Sequence, residues 1–536
     1  MTERLNKKRS KTFLIFFFII VALGIALRLP RLSERPMHTD EAVQAIKFGF
    51  LLENNDYRYD PIEYHGPTLN YFTLISAWLS SATKLTEVTE SNLRSIPLFF
   101  GMMLILALFL LKDTLNRVFI LFAALFTAMA PAMVFYSRYY IHEMLLVFFT
   151  FCVFVSALRY SKTRHIVWVL FTGISIGLMH ATKETNIIAF AAMLFAWVLT
   201  LITNARTKSI FFNSIRRLNP WHILIGATSA LFISALLHSS FMSNPRGILD
   251  SFLTYWNYLD RGAGHQEWHI HPWHYYFKLL IGSKYPGRPM WSEMIIILLA
   301  GIGMVTALHR SHQQERDKGF LRFIVFYSII MTIIYSAIPY KTPWSMLGFY
   351  HGWLLCAAIG AVSILRIKPY RWLRWTGIFI MTAGLAHLLF QTYLLNNQYE
   401  DDPSNPYVYA HTVKDIFIVT EKIDAIAEIY PDGKNIYIEV ICPGADYWPL
   451  PWYLRDYPNV GWWSQVDFNT PSAPVIIAMP SVESDLVKKL YQLPPPGQKS
   501  LYLPLFDAYT ELRPMVEIRG YIKKELWDLY MRSRNP

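Results

Sequence analysis

The sequence predicts a mainly α-helical membrane protein with about eleven transmembrane helices, followed by a small α/β domain outside the membrane. The first observation is composition: of 536 residues, 53% are hydrophobic and only 16% are charged, which excludes an ordinary soluble protein. The second is that the apolar residues occur in long blocks. The third is that the chain becomes polar after residue 396 and then alternates helix-like and strand-like patterns.

The first apolar block runs from Thr12 to Leu27 and follows a basic start. Because no small-residue cleavage site follows it and many more apolar blocks do, we interpret it as a retained first helix rather than a signal peptide. Further spans are predicted at residues 95–111, 118–135, 143–158, 166–180, 186–203, 221–241, 291–309, 321–339, 344–365 and 376–395.

Basic residues in alternate loops predict the topology. The loops 112–117, 159–165, 204–220, 310–320 and 366–375 each carry at least two lysines or arginines. The positive-inside rule places them and the N-terminus in the cytoplasm, and places the long loops and the C-terminal region outside. A span at 67–82 would invert every later loop, so this stretch is predicted to lie in the membrane interface. The net charge of +12 then needs no nucleic-acid partner, and we expect a multi-pass plasma-membrane protein.

A polar, proline-bearing stretch at residues 400–406 marks a domain boundary. We predict a polytopic membrane domain over residues 1–396 and an extracytoplasmic α/β domain over 397–536. In the second domain, helices are predicted near 410–430 and 482–491, with strands at 435–441, 474–479 and 500–504. It contains no GxGxxG or P-loop motif and therefore no predicted nucleotide site. The tryptophans between Trp448 and Trp463 suit either stacking on sugar rings or the domain core.

The adjacent acids Asp40 and Glu41 follow the first span within about a dozen residues. One interpretation is a solvated helix N-terminus, where acids complement the helix dipole. The other is a general base that takes a proton from an acceptor hydroxyl or amine as it attacks a sugar C1.

Other ionisable residues are predicted on the same side of the membrane. His65 lies in the first outer loop, Arg138 and Glu143 lie between the third and fourth spans, and Lys183 and Lys341 lie at later outer turns. Each alone suits interfacial anchoring. Their clustering favours a site, because a reaction that displaces a phosphate leaving group needs cations such as Arg138, Lys183 and Lys341.

The segment His265-Gln-Glu-Trp-His-Ile-His-Pro-Trp-His274 is rich in histidine. His269 and His271 would point the same way on a strand, and Glu267 lies nearby. The spacing matches no standard metal signature, however, and proline and tryptophan suit an interfacial elbow. Coordination of Zn²⁺ by these histidines and Glu267 stays an unsupported alternative, and we favour the interpretation that His269 and His271 bind a polar head group or help close the site, with no metal or other cofactor.

Several short motifs follow one another along the chain, all on the side of the membrane that is predicted to be outer. They are Thr39-Asp-Glu-Ala42, Tyr64-His-Gly-Pro67, Ala181-Thr-Lys-Glu-Thr185, His271-Pro-Trp273, Lys341-Thr-Pro-Trp344 and Asp446-Tyr-Trp-Pro-Leu-Pro-Trp-Tyr-Leu454. Together with the basic inner loops they resemble superfamily C glycosyltransferases (GT-C). This group includes the dolichyl-phosphate-mannose protein mannosyltransferases and the bacterial aminoarabinose transferases. More narrowly, the motifs resemble the branch labelled flippase-activity-associated membrane proteins.

The resemblance implies inverting transfer of a sugar from a polyprenyl-phosphate-linked donor to a protein, lipid or glycan acceptor, on the non-cytoplasmic face. It assigns Asp40 as the catalytic base, Glu41 as its partner and, more loosely, Glu143 as a second acidic position. Lys183 and Lys341 would hold the donor phosphate, with membrane lipid around the isoprenoid tail.

Two other classes of function remain open: a translocator of lipid-linked sugars and a non-catalytic envelope-glycan assembly protein. A translocator needs polar groups along its spans near the membrane midplane. Here the span interiors hold almost no charge, and the polar residues collect at one face. This distribution favours the transferase, although fold resemblance alone does not settle function.

Overall fold

A computed structural model of the chain describes residues 2–62, 65–204, 219–262, 269–309, 318–368, 370–495 and 499–534. Helices dominate the part before residue 398. They are α1 (Thr2–Arg28), α2 (Thr39–Asn54), α3 (Thr68–Leu79), α4 (Glu90–Ala107), α5 (Arg117–Met129), α6 (Pro131–Tyr136), α7 (Glu143–Thr163), α8 (Ile166–His180), α9 (Asn186–Asn204), α10 (Pro220–His238), α11 (Arg246–Gly262), α12 (Tyr275–Ile281), α13 (Met294–Leu308), α14 (Lys318–Ala337), α15 (Leu347–Leu365) and α16 (Arg371–Asn397). A two-stranded hairpin, β1 (Ser283–Lys284) with β2 (Met290–Trp291), lies between α12 and α13.

Eight helical segments in the described part of the chain are long and apolar enough to cross a membrane. They are Ser10–Arg28, Glu90–Leu111, Glu143–Thr163, Asn186–Asn204, Pro220–His238, Lys318–Ala337, Pro343–Leu365 and Arg371–Asn397. Three shorter apolar helices are Arg117–Met129, Ile166–His180 and Met294–Leu308. Every predicted span overlaps one of these segments. The integral membrane class is confirmed, and the number of crossings stays a prediction.

Two helices refine the predicted boundaries. The span predicted at 118–135 is divided: α5 ends at Met129 and α6 begins at Pro131, because proline has no amide hydrogen to continue the helix but suits a first helical position. The stretch predicted at 67–82 forms α3. Its position in the membrane interface, like the sidedness of the loops, stays a prediction. The basic loops at 205–218 and 310–317 lie outside the described residues.

The C-terminal region contains a six-stranded mixed sheet. Its strands are β3 (Ile438–Ile441), β4 (Val460–Trp463), β5 (Val475–Ala478), β6 (Tyr502–Pro504), β7 (Thr510–Arg513) and β8 (Val516–Lys523). The order is β4-β3-β5-β8-β6, with β7 also paired to β8. β3 is parallel to both neighbours, and β3 and β5 are buried at every residue, as expected for central parallel strands with continuous apolar runs.

Four helices accompany this sheet: α17 (Asp415–Ile429), α18 (Leu450–Tyr453), α19 (Glu483–Val487) and α20 (Lys524–Arg534). The small α/β region is therefore confirmed, with β3, β5 and β6 where strands were predicted. The strands β4, β7 and β8 were not predicted. Because α16 ends at Asn397, the proposed domain boundary falls within its last turn.

The C-terminal region docks on the membrane helices through the motif at residues 446–454. Trp452 is wholly buried, and its indole Nε1 donates to Glu90 Oε1 at 2.8 Å. The Met37 amide donates to Tyr453 Oη at 2.8 Å. These contacts bring the region against the starts of α2 and α4. Trp452 is thus a packing residue, which favours the core interpretation of this tryptophan-rich stretch over sugar stacking at that position.

Candidate functional site

The two predicted acids form the N-terminal cap of α2. The His38 Nδ1 accepts from the Asp40 amide, and the Glu41 carboxylate accepts from the His38 amide, both at 3.0 Å. This reciprocal pair is a capping box, and it fixes the direction of the Glu41 carboxylate. The Asp40 side chain is 50% exposed, whereas that of Glu41 is 0% exposed. At the start of α2, therefore, Asp40 is half-exposed and Glu41 is turned inward.

Glu41 is held by two arginines. Arg94 donates to its two oxygens at 2.8 and 2.9 Å, Arg35 donates at 3.0 Å, and the Tyr140 amide donates at 2.9 Å. Burial raises the pKa of the Glu41 carboxyl, but the charges of Arg35 and Arg94 outweigh it and hold that pKa well below its usual range. Glu41 was predicted as catalytic. Its oxygens are occupied inside the protein by Arg94, Arg35 and the Tyr140 amide, and its role beside Asp40 stays a prediction.

Beside Asp40 lies a cluster of rings from distant parts of the chain. The Tyr409 hydroxyl lies 2.8 Å from His269 Nδ1 and 3.3 Å from His271 Nε2. The His38 Nε2 donates to the Tyr409 carbonyl at 3.0 Å, which with Nδ1 as acceptor defines a neutral imidazole. Burial lowers the pKa of both His38 and His269, and the negative charge of Asp40 opposes this shift in both.

His269 and His271 were predicted to point the same way on a strand. The segment that contains them does pair, as a strand would, with the turn that contains Lys341. The Lys341 amide donates to the His269 carbonyl at 2.9 Å, and the His271 amide donates to the Pro339 carbonyl at 3.1 Å. Lys341 Nζ donates to the His271 carbonyl at 3.1 Å and to the Ile338 carbonyl. Lys341 is therefore at the site, and in this conformation its ammonium ties the histidine segment to the turn.

Trp344 connects this cluster to a cavity among the membrane helices. Its ring contacts His38 edge-on at 5.7 Å and Tyr409 at 5.9 Å. It also lines a small cavity that opens between α7, α9, α14 and α15. The cavity combines one ion pair, Lys183 with Glu143, with a mostly apolar lining: Leu146, Val147, Ala189, Tyr327, Met331, Tyr335, Leu347 and Gly348.

The position of Lys183 depends on two motifs that pack together. The Gly66 amide donates to the Thr182 carbonyl at 3.1 Å, and the Thr68 amide donates to the Ala181 carbonyl at 3.2 Å. A Cβ on Gly66 would lie 2.2 Å from the Ala181 oxygen, so only glycine permits this approach. The motif containing His65 is thereby joined to the motif containing Lys183.

His65 takes part in a second polar pair at this junction. Its Nδ1 lies 2.8 Å from the Glu184 carboxylate and 2.9 Å from the Tyr258 hydroxyl. Burial raises the pKa of the Glu184 carboxyl, but His65 outweighs that effect and lowers it overall. His65 is therefore close to Lys183, because it pairs with the residue that follows Lys183 in the chain.

Arg138, predicted to bind the donor phosphate, lies where the ends of two helices meet. Its guanidinium donates to the backbone carbonyls of Asn396 at 2.9 Å, Pro30 at 2.8 Å and Arg31 at 3.2 Å. Arg138 therefore joins the ends of α1 and α16, and its role at the donor phosphate stays a prediction.

His265 and Glu267, considered for metal binding, lie outside the described residues, as does Tyr64. Among the residues that are described, no group of three His, Cys, Asp or Glu side chains is arranged to hold a metal ion.

Several residues of the site were not predicted, namely Arg35, Arg94, Trp344, Tyr409 and His411. The His411 ring packs at a tilt against His38, with ring centroids 5.2 Å apart, and its ring nitrogens lie 3.0 and 3.3 Å from the Tyr139 hydroxyl. Two of these residues had a signal in the sequence: Trp344 is the last residue of the motif that begins at Lys341, and Arg94 is a charged residue directly before a predicted span. Tyr409 and His411 follow the polar boundary, where no local pattern indicates a site.

Comparison with known proteins relates part of the chain to a family. Residues 65–243 match the family described as dolichyl-phosphate-mannose-protein mannosyltransferase. No curated protein sequence matches the chain.

Solved structures match over most of the chain at low identity. ArnT from Cupriavidus metallidurans in the apo state gives a TM-score of 0.60 at 14% identity, covering 96% of this chain and 98% of that one. ArnT bound to undecaprenyl phosphate gives 0.57 at 13%, covering 95% and 98%. The archaeal oligosaccharyltransferase AglB from Archaeoglobus fulgidus, in complex with an inhibitory peptide and a dolichol-phosphate, gives 0.54 at 13%, covering 89% and 70%. The chain therefore has the fold of the superfamily C glycosyltransferases, and its residues 65–243 relate it to the mannosyltransferases of that superfamily.

Proposed function

We propose that the protein is a membrane glycosyltransferase that moves a sugar from a polyprenyl-phosphate-linked donor to an acceptor on the non-cytoplasmic face, with inversion at C1. The sugar is mannose or a related hexose, in line with the family match. The observation that carries this proposal is the division of the acidic pair: Asp40 is half-exposed beside a ring cluster, while Glu41 is buried and ion-paired.

In the proposed reaction Asp40 is the general base. Its carboxylate accepts the proton of an acceptor hydroxyl or amine as the acceptor oxygen or nitrogen bonds to the sugar C1. The bond between C1 and the phosphate oxygen breaks on the opposite side, and its electron pair leaves with the polyprenyl phosphate. Attack opposite to the leaving group inverts the configuration at C1.

Glu41 supports Asp40 without touching the substrate. Arg94 and Arg35 keep its carboxylate charged and fixed, so the first turn of α2 presents Asp40 in one direction. The Tyr140 amide on the same carboxylate links α2 to the turn that carries Glu143. The base and the donor side of the site are therefore held in one network.

The donor phosphate is proposed to lie at Lys183, with Lys341 nearby. A lipid phosphate has a charged end and an apolar tail, and the cavity at Lys183 combines a cation with an apolar lining among membrane helices. Lys183 is paired with Glu143 in this conformation. Phosphate would replace that carboxylate as the partner of the ammonium, which stabilises the charge that develops on the leaving group. ArnT bound to undecaprenyl phosphate, which shares the fold, is consistent with this donor class.

The ring cluster is the proposed sugar and acceptor side. His269, His271, Tyr409 and Trp344 offer ring faces and polar edges beside Asp40, a combination that suits sugar rings. The acceptor is a protein, lipid or glycan.

A direct assay tests this function. Purified protein in nanodiscs is given a radiolabelled mannosyl polyprenyl phosphate and a membrane extract as the acceptor pool, and label is followed from the donor into an acceptor. Transfer of label supports the proposal. Donor that crosses the bilayer of proteoliposomes with its sugar still attached, without transfer, would favour a translocator instead.

A further inference from the structure

The helix α11 exposes a continuous apolar face. Its exposed residues recur at helical spacing, three or four apart, on one side of the helix. They are Leu249 at 60%, Phe252 at 53%, Leu253 at 52%, Trp256 at 81% and Leu259 at 70% exposed. Large apolar side chains in one exposed stripe need an apolar environment, so this face indicates a surface that something covers.

The opposite face of α11 packs on the candidate site. Thr254 is buried, and its hydroxyl donates to the Pro61 carbonyl at 2.9 Å. Asn257 Nδ2 donates to the same carbonyl at 3.2 Å. The Tyr258 hydroxyl lies 2.9 Å from His65 Nδ1. This face therefore holds the first outer loop and the imidazole that pairs with Glu184.

The start of α11 is fixed against the end of a membrane span. A Cβ on Gly247 would lie 2.0 Å from the His238 carbonyl oxygen, the last residue of α10, so only glycine allows this contact. Between the two helices, Phe241 and Met242 are 57% and 62% exposed. The apolar face of α11 thus begins where the apolar surface of a span ends.

Continuity with the span identifies what covers the face. On α10, Leu231 and Phe232 are 62% and 63% exposed, as side chains that face lipid are expected to be. The stripe on α11 extends that surface, with Trp256 in it and Arg246 at the helix start. Tryptophan and arginine at such positions are typical of the boundary between acyl chains and head groups.

We infer that α11 lies along the membrane surface with its apolar face in the acyl–head-group boundary, and that the bilayer thereby positions His65 through Tyr258. The partner is the phospholipid bilayer itself. The inference does not depend on the proposed reaction, because it rests on the exposure of one face and the contacts of the other.

Spin-label accessibility in nanodiscs of palmitoyl-oleoyl phosphatidylcholine tests this inference. Single cysteines are placed in turn at residues 249 to 257 in a Cys152→Ser background, since Cys356 and Cys442 are buried. For each label, collisions with dissolved oxygen are compared with collisions with a water-soluble nickel chelate. The control is Met515→Cys in the C-terminal region, at a position that is 94% exposed.

The expected result is an oxygen-to-nickel ratio several times higher at Leu249, Leu253 and Trp256 than at Met515, with a helical period along the scan. A ratio at these positions equal to that of Met515 would overturn the inference, because the face would then be in water. Labels that neither reagent reaches would also overturn it, because a second protein copy would then cover the face.

Discussion

Arg94 and Glu41 form a bidentate ion pair inside the protein, with Nε and Nη2 of the arginine 2.8 and 2.9 Å from the two carboxylate oxygens. Both side chains are at most 1% exposed. The arginine comes from the second turn of the apolar helix α4 and the glutamate from the capping box of α2. This pair therefore joins the proposed base to the membrane scaffold.

The first prediction concerns stability. Glu41→Ala leaves Arg94 and Arg35 buried without their carboxylate, and such a change costs about 3–5 kcal/mol. We expect a clearly lower unfolding temperature in detergent for this variant. Glu34→Gln is the control, because Glu34 pairs with Arg31 at the surface. Equal unfolding temperatures for Glu41→Ala and the wild type would contradict the structural role of the pair.

The second prediction concerns pH. Because the folded-state pKa of Glu41 is lowered, its stabilising contribution is fully present above 4.5, the value of an unperturbed glutamate, and is lost as the pH falls further toward the folded-state pKa. The difference in unfolding temperature between wild type and Glu41→Gln should therefore be constant from neutral pH to about pH 5 and shrink below pH 4.5. A difference that grows on acidification would contradict the assigned direction.

The third prediction concerns the packing of α13 on α15. A Cβ on Gly303 would lie 1.9 Å from the Cys356 carbonyl oxygen, whereas a Cβ on Gly301 meets no atom within 4 Å. Gly303→Val should cost about 3 kcal/mol or prevent folding, since a backbone oxygen cannot move aside as a side chain can. Gly301→Val, in the same helix, should be tolerated. Size-exclusion profiles and unfolding temperatures would compare them, and equal behaviour would refute the close helix approach.

The fourth prediction concerns the donor. Lys183→Met should lower kcat/KM for the polyprenyl-phosphate donor by about 100-fold, the order found when one electrostatic donor to a leaving group is removed. Lys183→Arg should retain more activity because it keeps the charge. The double variant Glu143→Gln/Lys183→Met separates an effect on donor binding from an effect on folding. Because it removes both members of the ion pair, it leaves no unpaired charge and should be stable yet inactive. A stable and fully active double variant would remove Lys183 from the donor site.

The fifth prediction concerns docking of the C-terminal region. Arg513 donates to Thr39 Oγ1 at 3.1 Å, next to Asp40, and to the Asp446 carboxylate at 2.8 Å. Arg513→Ala should speed proteolysis of the connection at residues 398–412 and lower transfer. Arg519→Ala is the control, because Arg519 pairs with Glu483 and Glu517 within the C-terminal region. Identical proteolysis of the two variants would contradict a docking role for Arg513.

The membrane helices could be predicted from sequence because the length and composition of each apolar block are enough to indicate a helix in the membrane. The same holds for β3 and β5, whose apolar runs are local. The division of Asp40 from Glu41 could not be predicted, since it depends on Arg94, which lies 53 residues away. The strands β7 and β8 escaped prediction because their alternating residues pair only within the folded sheet.

The site could be predicted only in part, because some of its contacts also join residues that are far apart in the sequence. The motifs around His65, Lys183 and Lys341 do come together, because loops at one end of the helix bundle meet there. The place of Tyr409 in the site could not be predicted, because it depends on how the C-terminal region packs against the residues that follow the first span. Arg138 was predicted at the donor phosphate as one of a cluster of cations, and the structure shows its guanidinium donating to backbone carbonyls whose positions the sequence does not reveal.

The most direct measurement is sugar transfer by Asp40→Asn beside Asp56→Asn. The two aspartates are similarly exposed, at 50% and 56%, and both lie in the segment between α1 and α3. With the unfolding temperature unchanged, Asp40→Asn should reduce the rate of transfer from labelled polyprenyl-phosphate donor by about 10²–10⁴-fold, the contribution of a general base, while Asp56→Asn retains the full rate. Wild-type transfer by a folded Asp40→Asn variant would contradict the assignment of Asp40 as the base.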